Sequence, residues 1–330
     1  MKQHINYIAF VILVLCSCEM ISQTQQPLVW PPPPQKAKIQ HLQTISSLKD
    51  IGVEEGFFSK IINFIFGTES SERWLEQPVG ITVSSNQIIY IADPAAKCVH
   101  IIDIKNSNYD FIERAFDHTL ISPIAIAIDS KGRIFVSDSQ LKKVFVFDKN
   151  NKPLSALEYE FIRPTGLSIK DNKLYVTDTG NHSVCVFDLN GKFILSFGKR
   201  GSGAGEFNYP VHLSVTNSIF VVDAMNHRIQ AFDNKGMFRL SFGKVGNLAG
   251  HFVHPKSVAT DSEENVYVTD ALMDNFQIFN NRGDLLLVVG LKGTENGEFM
   301  SPSGIAIDGQ DRIYVVDSLN RRIQIFKYLK

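Results

Sequence analysis

Val221-Val222-Asp223-Ala224-Met225-Asn226-His227-Arg228-Ile229-Gln230-Ala231-Phe232 reads as an apolar strand ending in a carboxylate, a short polar turn, and a second apolar strand. Almost the same phrase returns as Val315-Val316-Asp317-Ser318-Leu319-Asn320-Arg321-Arg322-Ile323-Gln324-Ile325-Phe326. Looser copies place an Asp at Asp93, Asp138, Asp178, Asp223, Asp270 and Asp317, and nine residues later Ile102, Phe147, Phe187, Phe232, Phe279 and Phe326. A proline opens each copy: Pro78, Pro123, Pro164, Pro210, Pro255 and Pro302, at steps of 45, 41, 46, 45 and 47 residues. A period of this size marks a repeat architecture.

The copy from Pro210 shows what one unit is. Val211 to Val215, Ser218 to Asp223, Arg228 to Phe232 and Met237 to Phe242 are four short runs, rich in β-branched and aromatic residues and bounded by Gly, Asn or Asp. Asp188-Leu189-Asn190-Gly191, Asp233-Asn234-Lys235-Gly236 and Asn280-Asn281-Arg282-Gly283 read as hairpin turns between third and fourth runs. Four antiparallel strands in about 45 residues make one propeller blade. One blade cannot bury both faces, so six must circle an axis. Leu75, Leu120, Phe161, Phe207, Phe252 and Phe299, each three residues before a proline, are the expected wedges between blades.

The sixth unit stops after its third strand, at Lys330. The stretch from Lys38 to Ile45 has strand character and is expected to supply the missing outer strand, closing the ring. The fold class is therefore all-β: a six-bladed β-propeller of four-stranded antiparallel blades over residues 38–330, closed by an N-terminal strand. Phe57, Phe58, Ile61, Ile62 and Ile65 fall on one helical face, which predicts a short helix near 54–66.

With 33 Lys and Arg against 34 Asp and Glu, the formal charge is −1. Nucleic-acid binding through bulk charge requires a strongly basic domain, so it is not expected here. Lys2 and His4 precede an apolar run from Ile5 to Leu15, too short to span a bilayer and suited to a signal segment. The following Leu15-Cys16-Ser17-Cys18 resembles the bacterial lipoprotein box. That resemblance implies that residues 1–18 are a signal peptide, that Cys18 becomes a lipidated mature N-terminus, and that the chain is exported and anchored at the bacterial envelope. Glu19 after the cysteine favours the outer membrane. Residues 19–37, with Gln23 to Gln26 and Pro31 to Pro34, read as a Pro-rich tether. Cys98 and Cys185 fall in blades one and three, which do not touch, so no disulfide is expected between them.

The Asn-His-Arg-Ile-Gln phrase after the Asp, with its terminal Phe, resembles NHL repeats. Gly205-Glu206-Phe207-Asn208-Tyr209-Pro210 and Gly297-Glu298-Phe299-Met300-Ser301-Pro302 are similar to that family's inter-blade element. The resemblance implies the fold; function varies too widely among such proteins to be carried over. Ala96-Lys97-Cys98 and Leu141-Lys142-Lys143 depart from it in blades one and two.

Propeller enzymes set two chemical tests. A peptide-amidating zinc lyase would carry histidines directly after the strand-opening prolines, where this chain has Val79, Ile124, Thr165, Val211, Lys256 and Ser303. A calcium-dependent lactonase would need carboxylates converging on the channel. The second residue after each proline is instead Gly80, Ala125, Gly166, His212, Ser257 or Gly304. No catalytic residue, metal site or cofactor is expected. The six repeat aspartates read as structural acceptors for backbone N–H groups.

Strand alternation puts the turns after Asp and the inter-blade loops on one face. His182, His212, His227, Arg228, Arg321 and Arg322 are the candidate partner-binding residues there, on a mildly basic channel mouth. The functional expectation is a lipid-anchored, monomeric envelope scaffold that presents this mouth to a protein or anionic ligand. The alternative is an envelope hydrolase or lyase, lactonase-like or peptide-amidating-lyase-like, using the same mouth.

Overall fold

A computed structural model describes residues 27–53 and 74–330. The signal segment, Cys18 and the expected helix at 54–66 lie outside the described residues. Six antiparallel sheets form a six-bladed β-propeller. Blade four consists of Pro210–Val215, Ile219–Asp223, Arg228–Phe232 and Phe238–Phe242, running from the axis outward. The innermost strands, Gly80–Val83, Pro123–Ile128, Pro164–Lys170, Pro210–Val215, Pro255–Thr260 and Pro302–Ile307, each touch the next, and the last touches the first.

The ring closes through the front of the chain. Ile39–Ile45 pairs antiparallel with Arg322–Tyr328 and completes blade six. Ile39 and Ile45 are fully buried, the first against blade five and the second against blade one. The expected tether departs from this structure at its C-terminal end. Val29–Trp30 adds a fifth strand outside Ile39–Ile45. The Trp30 ring meets Phe326 edge-on, with centroids 5.7 Å apart. Leu28, Val29 and Trp30 supply apolar surface for docking, which the neighbouring proline and glutamine runs obscure.

The core is six separate apolar clusters, each drawn from two neighbouring blades. All six wedge residues are buried within them. Room for the aromatic wedges comes from glycine. Gly243 has φ +87°, and a Cβ there would overlap the ring of Phe252. Tight inter-blade loops thus require both the left-handed backbone and the missing side chain. Cys98 and Cys185 are both buried, in blades one and three.

Proline at the start of an inner strand is tolerated because that strand has a ladder partner on one side only. The proline brings a consequence for the site. In blades two to six the register shifts at the strand opening, as between Pro210, opposite Asp223, and His212, opposite Val222. The residue after the proline is the extra one of this bulge, and a bulge re-aims the side chain it carries.

Candidate ligand site at the channel mouth

The six aspartates organise the face on which the prolines lie. Each carboxylate is fully buried. Asp138 accepts the N–H groups of Ile121 and Ser122 at 2.7 and 3.0 Å, then those of Gln140 and Leu141. Asp270 does the same with Val253, His254, Leu272 and Met273. One carboxylate therefore ties the loop entering its blade to the turn after its second strand. These are charge-assisted bonds without solvent competition, the strong class of hydrogen bond.

Two of the candidate ligand contacts are consumed in the same scaffold. Arg322 donates to Asp317 at 2.7 Å and to the carbonyls of Thr294, Glu295 and Glu298. Arg228 likewise donates to Asp223 and to the carbonyls of Gly203 and Glu206. Both guanidinium groups are internal staples for the inter-blade loop, so neither faces a ligand. Gln230 and Gln324 reinforce the same loops through Gly205 and Gly297.

The histidines are also engaged. His182 is buried, accepts the Tyr209 N–H at Nδ1 and packs edge-on to the Tyr209 ring. Nδ1 of His227 lies 3.0 Å from the Val253 carbonyl and so carries its proton. Both occupy the left-handed position four residues after the repeat Asp, with φ of 52° and 54°. His212 is wedged between inner strands, its Nδ1 3.3 Å from the Val258 N–H and 3.2 Å from Ser257 Oγ. Burial lowers its pKa to about 4, so it is neutral at physiological pH. Arg321 alone of the six candidates is exposed to solvent at its turn.

What meets at the axis is a different set. A pocket of about 190 Å³ receives side chains from all six inner strands. Val79, Gly80 and Ile124 line one side; Arg163, Thr165, Val211, His212, Lys256, Ser257 and Ser303 line the rest. All six residues directly after a proline belong to this wall, five of them, in blades two to six, at the opening bulge. Larger depressions of about 590 and 520 Å³ are open grooves between neighbouring blades, two and three for the first and one and two for the second.

The hydroxyls of the axial pocket are already bonded. Thr165 Oγ1 lies 2.9 and 2.6 Å from the hydroxyls of Thr177 and Thr179, and Ser303 donates to the Pro78 carbonyl. Arg163 and Lys256 differ. Among the described residues, neither side chain has a hydrogen-bond or ion-pair partner. Burial pushes the Lys256 ammonium below its ordinary pKa; Asp270 counters this, and the charge of Arg163 adds to it. The two cations thus share one electrostatic field at the mouth, and among the described residues no carboxylate lines the pocket. His254 beside them is also lowered, by burial and then by Lys256.

Sequence reading passed over both cations. Lys256 stands at one of the six positions directly after a proline, a lone charge in an otherwise apolar or hydroxyl ring. Arg163 precedes its proline, where Gln77, Ser122, Tyr209, His254 and Ser301 stand in the other blades. Among the described residues no group of three or more His, Cys, Asp or Glu is placed to hold a metal ion. The donor set therefore fits neither the zinc nor the calcium enzyme pattern.

A family model described as 6-bladed beta-propeller matches residues 156–242 and 252–328, covering blades three to six. Protein brain tumor of Drosophila melanogaster is 32% identical over 63 residues, which are 19% of this chain and 6% of that protein's length. Among solved structures, virginiamycin B lyase from Staphylococcus aureus superposes with a TM-score of 0.57 at 14% identity, covering 77% of this chain and 95% of that one. A gluconolactonase from Xanthomonas campestris superposes at 0.60 and 14% identity, covering 78% and 87%. An auxiliary nutrient binding protein from Bacteroides thetaiotaomicron superposes at 0.60 and 13% identity, covering 78% and 70%. At these identities the likeness is one of fold, and the functions named belong to those proteins.

Proposed function

We propose that this chain is a binding propeller with NHL-type repeats, held by lipid on Cys18 at a bacterial envelope, in the outer membrane. The mouth of its channel takes an anionic group from a partner. The observation that carries this reading is the pairing of Arg163 and Lys256, two cations that among the described residues have no partner, at an axial pocket whose described wall holds no carboxylate. An anion between them offsets the desolvation of half-buried Lys256 and its repulsion by exposed Arg163, and gains charge-assisted hydrogen bonds. Every other polar group of the pocket named above has a partner within the protein.

The alternative, an envelope hydrolase or lyase working at the same mouth, draws support from the fold alone. Among the described residues no group of three or more His, Cys, Asp or Glu is placed to hold a metal of the kind those enzymes would use.

Thermal unfolding of the purified full chain in rising citrate tests the binding reading. Citrate at one hundred times its Kd stabilises a single-site binder by about 2.7 kcal/mol. The Arg163→Gln, Lys256→Gln double variant is expected to lose this increment while keeping its citrate-free melting temperature. Equal stabilisation of both proteins overturns the assignment of the anion to this pocket.

A further inference from the structure

We infer that the anion is a carboxylate on a protein segment, flanked by apolar side chains that rest across blades four to six; this builds on the anion-binding reading above. The second residue after the repeat Asp decides the matter. In blades four, five and six it is Met225, Leu272 and Leu319, exposed by 52, 65 and 56%. In blades one, two and three the same position holds Ala95, Gln140 and Gly180. The apolar side chains thus form an arc over half of one face.

This arc borders the pocket. Met225 N–H donates to the Asn208 carbonyl, and Leu319 N–H donates to the Met300 carbonyl, each two residues before a strand-opening proline. Neighbouring strands lie about 5 Å apart, so the arc stands one strand outside the inner ring. Three large side chains held in water at equivalent points of one face are an exposed apolar patch of the kind that marks an interaction surface.

Pocket size identifies the occupant. At about 190 Å³ the pocket is smaller than the roughly 300–1,000 Å³ that encloses a whole small-molecule ligand. It suits one protruding side chain or a chain terminus. A carboxylate there lies between Arg163 and Lys256, and the residues beside it reach Met225, Leu272 and Leu319. Charge complementarity at the centre with apolar contact around it is a common anatomy of protein recognition. A flat bilayer surface matches it less well, because Lys256 is half-buried behind the exposed Arg163 and Glu206, Glu295 and Glu298 occupy the surrounding loops.

Selection of a random dodecapeptide display library on the immobilised full chain tests this. Wild-type protein is expected to enrich peptides with an Asp or Glu between Leu, Ile, Phe or Met. Arg163→Gln with Lys256→Gln should lose the acidic preference, and Met225→Ser with Leu272→Ser and Leu319→Ser the apolar one. Each set should weaken a selected synthetic peptide at least tenfold in fluorescence anisotropy. All three arc positions are exposed, so unchanged thermal unfolding will verify the fold of that variant. Failure to enrich this pattern, or enrichment that survives either variant, overturns the inference. Co-sedimentation with phosphatidylglycerol–phosphatidylcholine vesicles that depends on the arc, without peptide enrichment, overturns it in favour of a membrane surface. Citrate stabilisation that persists in either case leaves the anion site standing, which separates the two claims.

Discussion

Arg228 and Arg322 show how little a residue's type reveals about its task. Read in sequence, each is a cation in a surface turn. In the fold each closes a ring of carbonyls over a buried aspartate, and reversing its charge would strand that carboxylate beside a second one. Among the described residues Arg163 has none of these partners, and the proposed function assigns its charge to another molecule. His212 makes a related point, with a measurable outcome. Burial sets its folded pKa at about 4, below the unfolded value near 6.5, so the folded protein favours the neutral ring. Its contribution is therefore complete above about pH 6.5 and is lost as pH falls toward 4, by up to about 3 kcal/mol. Urea unfolding across that interval should show a shallower loss of stability in His212→Asn, whose amide oxygen can still accept the Val258 N–H. Parallel profiles for the two proteins would show that His212 does not carry the acid sensitivity.

At the scale of elements, the latch strand Ile39–Ile45 is the least local feature, pairing with a partner almost 300 positions along the chain. Its two ends are buried in different blade interfaces, while Leu42 sits 44% exposed where the register shifts between His41 and Gln43. Ile45→Ala should cost about 2–5 kcal/mol, as large-to-small changes in a close-packed core do. Leu42→Ala in the same strand should stay within about 0.5 kcal/mol, as surface substitutions do. Chemical denaturation of the two variants compares them directly, and similar costs would mean that the strand does not latch the ring through its buried ends. The opening bulge of each inner strand is equally decisive. Simple alternation assigned the channel to the second residue after each proline. The bulge brings the first residue to the pocket as well, and Lys256 is one of these. Glycines at the second position serve instead to let inner strands approach, since a Cβ on Gly166 would meet the backbone of His212.

For the whole molecule, the proposed function joins a rigid ring to a membrane through the stretch from Cys18 to residue 26. If Cys18 carries the lipid, cells fed an alkyne-tagged fatty acid should label the wild-type chain and release Cys18→Ser from the membrane fraction. A labelled Cys18→Ser protein would move the attachment elsewhere. Part of the expected spacer shortens on folding, because Val29–Trp30 docks as a fifth strand and leaves the span before residue 27 as the reach from the anchor.

Blade number, strand order, the wedge positions and the closing strand were legible in the chain because they repeat. A pattern seen six times averages out the local variation that blurs single-strand assignments, and a unit that cannot cover its own apolar faces must stack in a ring. The candidate site was not legible, because it lies in what does not repeat. Arg163 and Lys256 stand 93 positions apart in different blades. Only the closed ring brings them to one axis, and only the hydrogen-bond network shows that the louder cations, Arg228 and Arg322, are already spent.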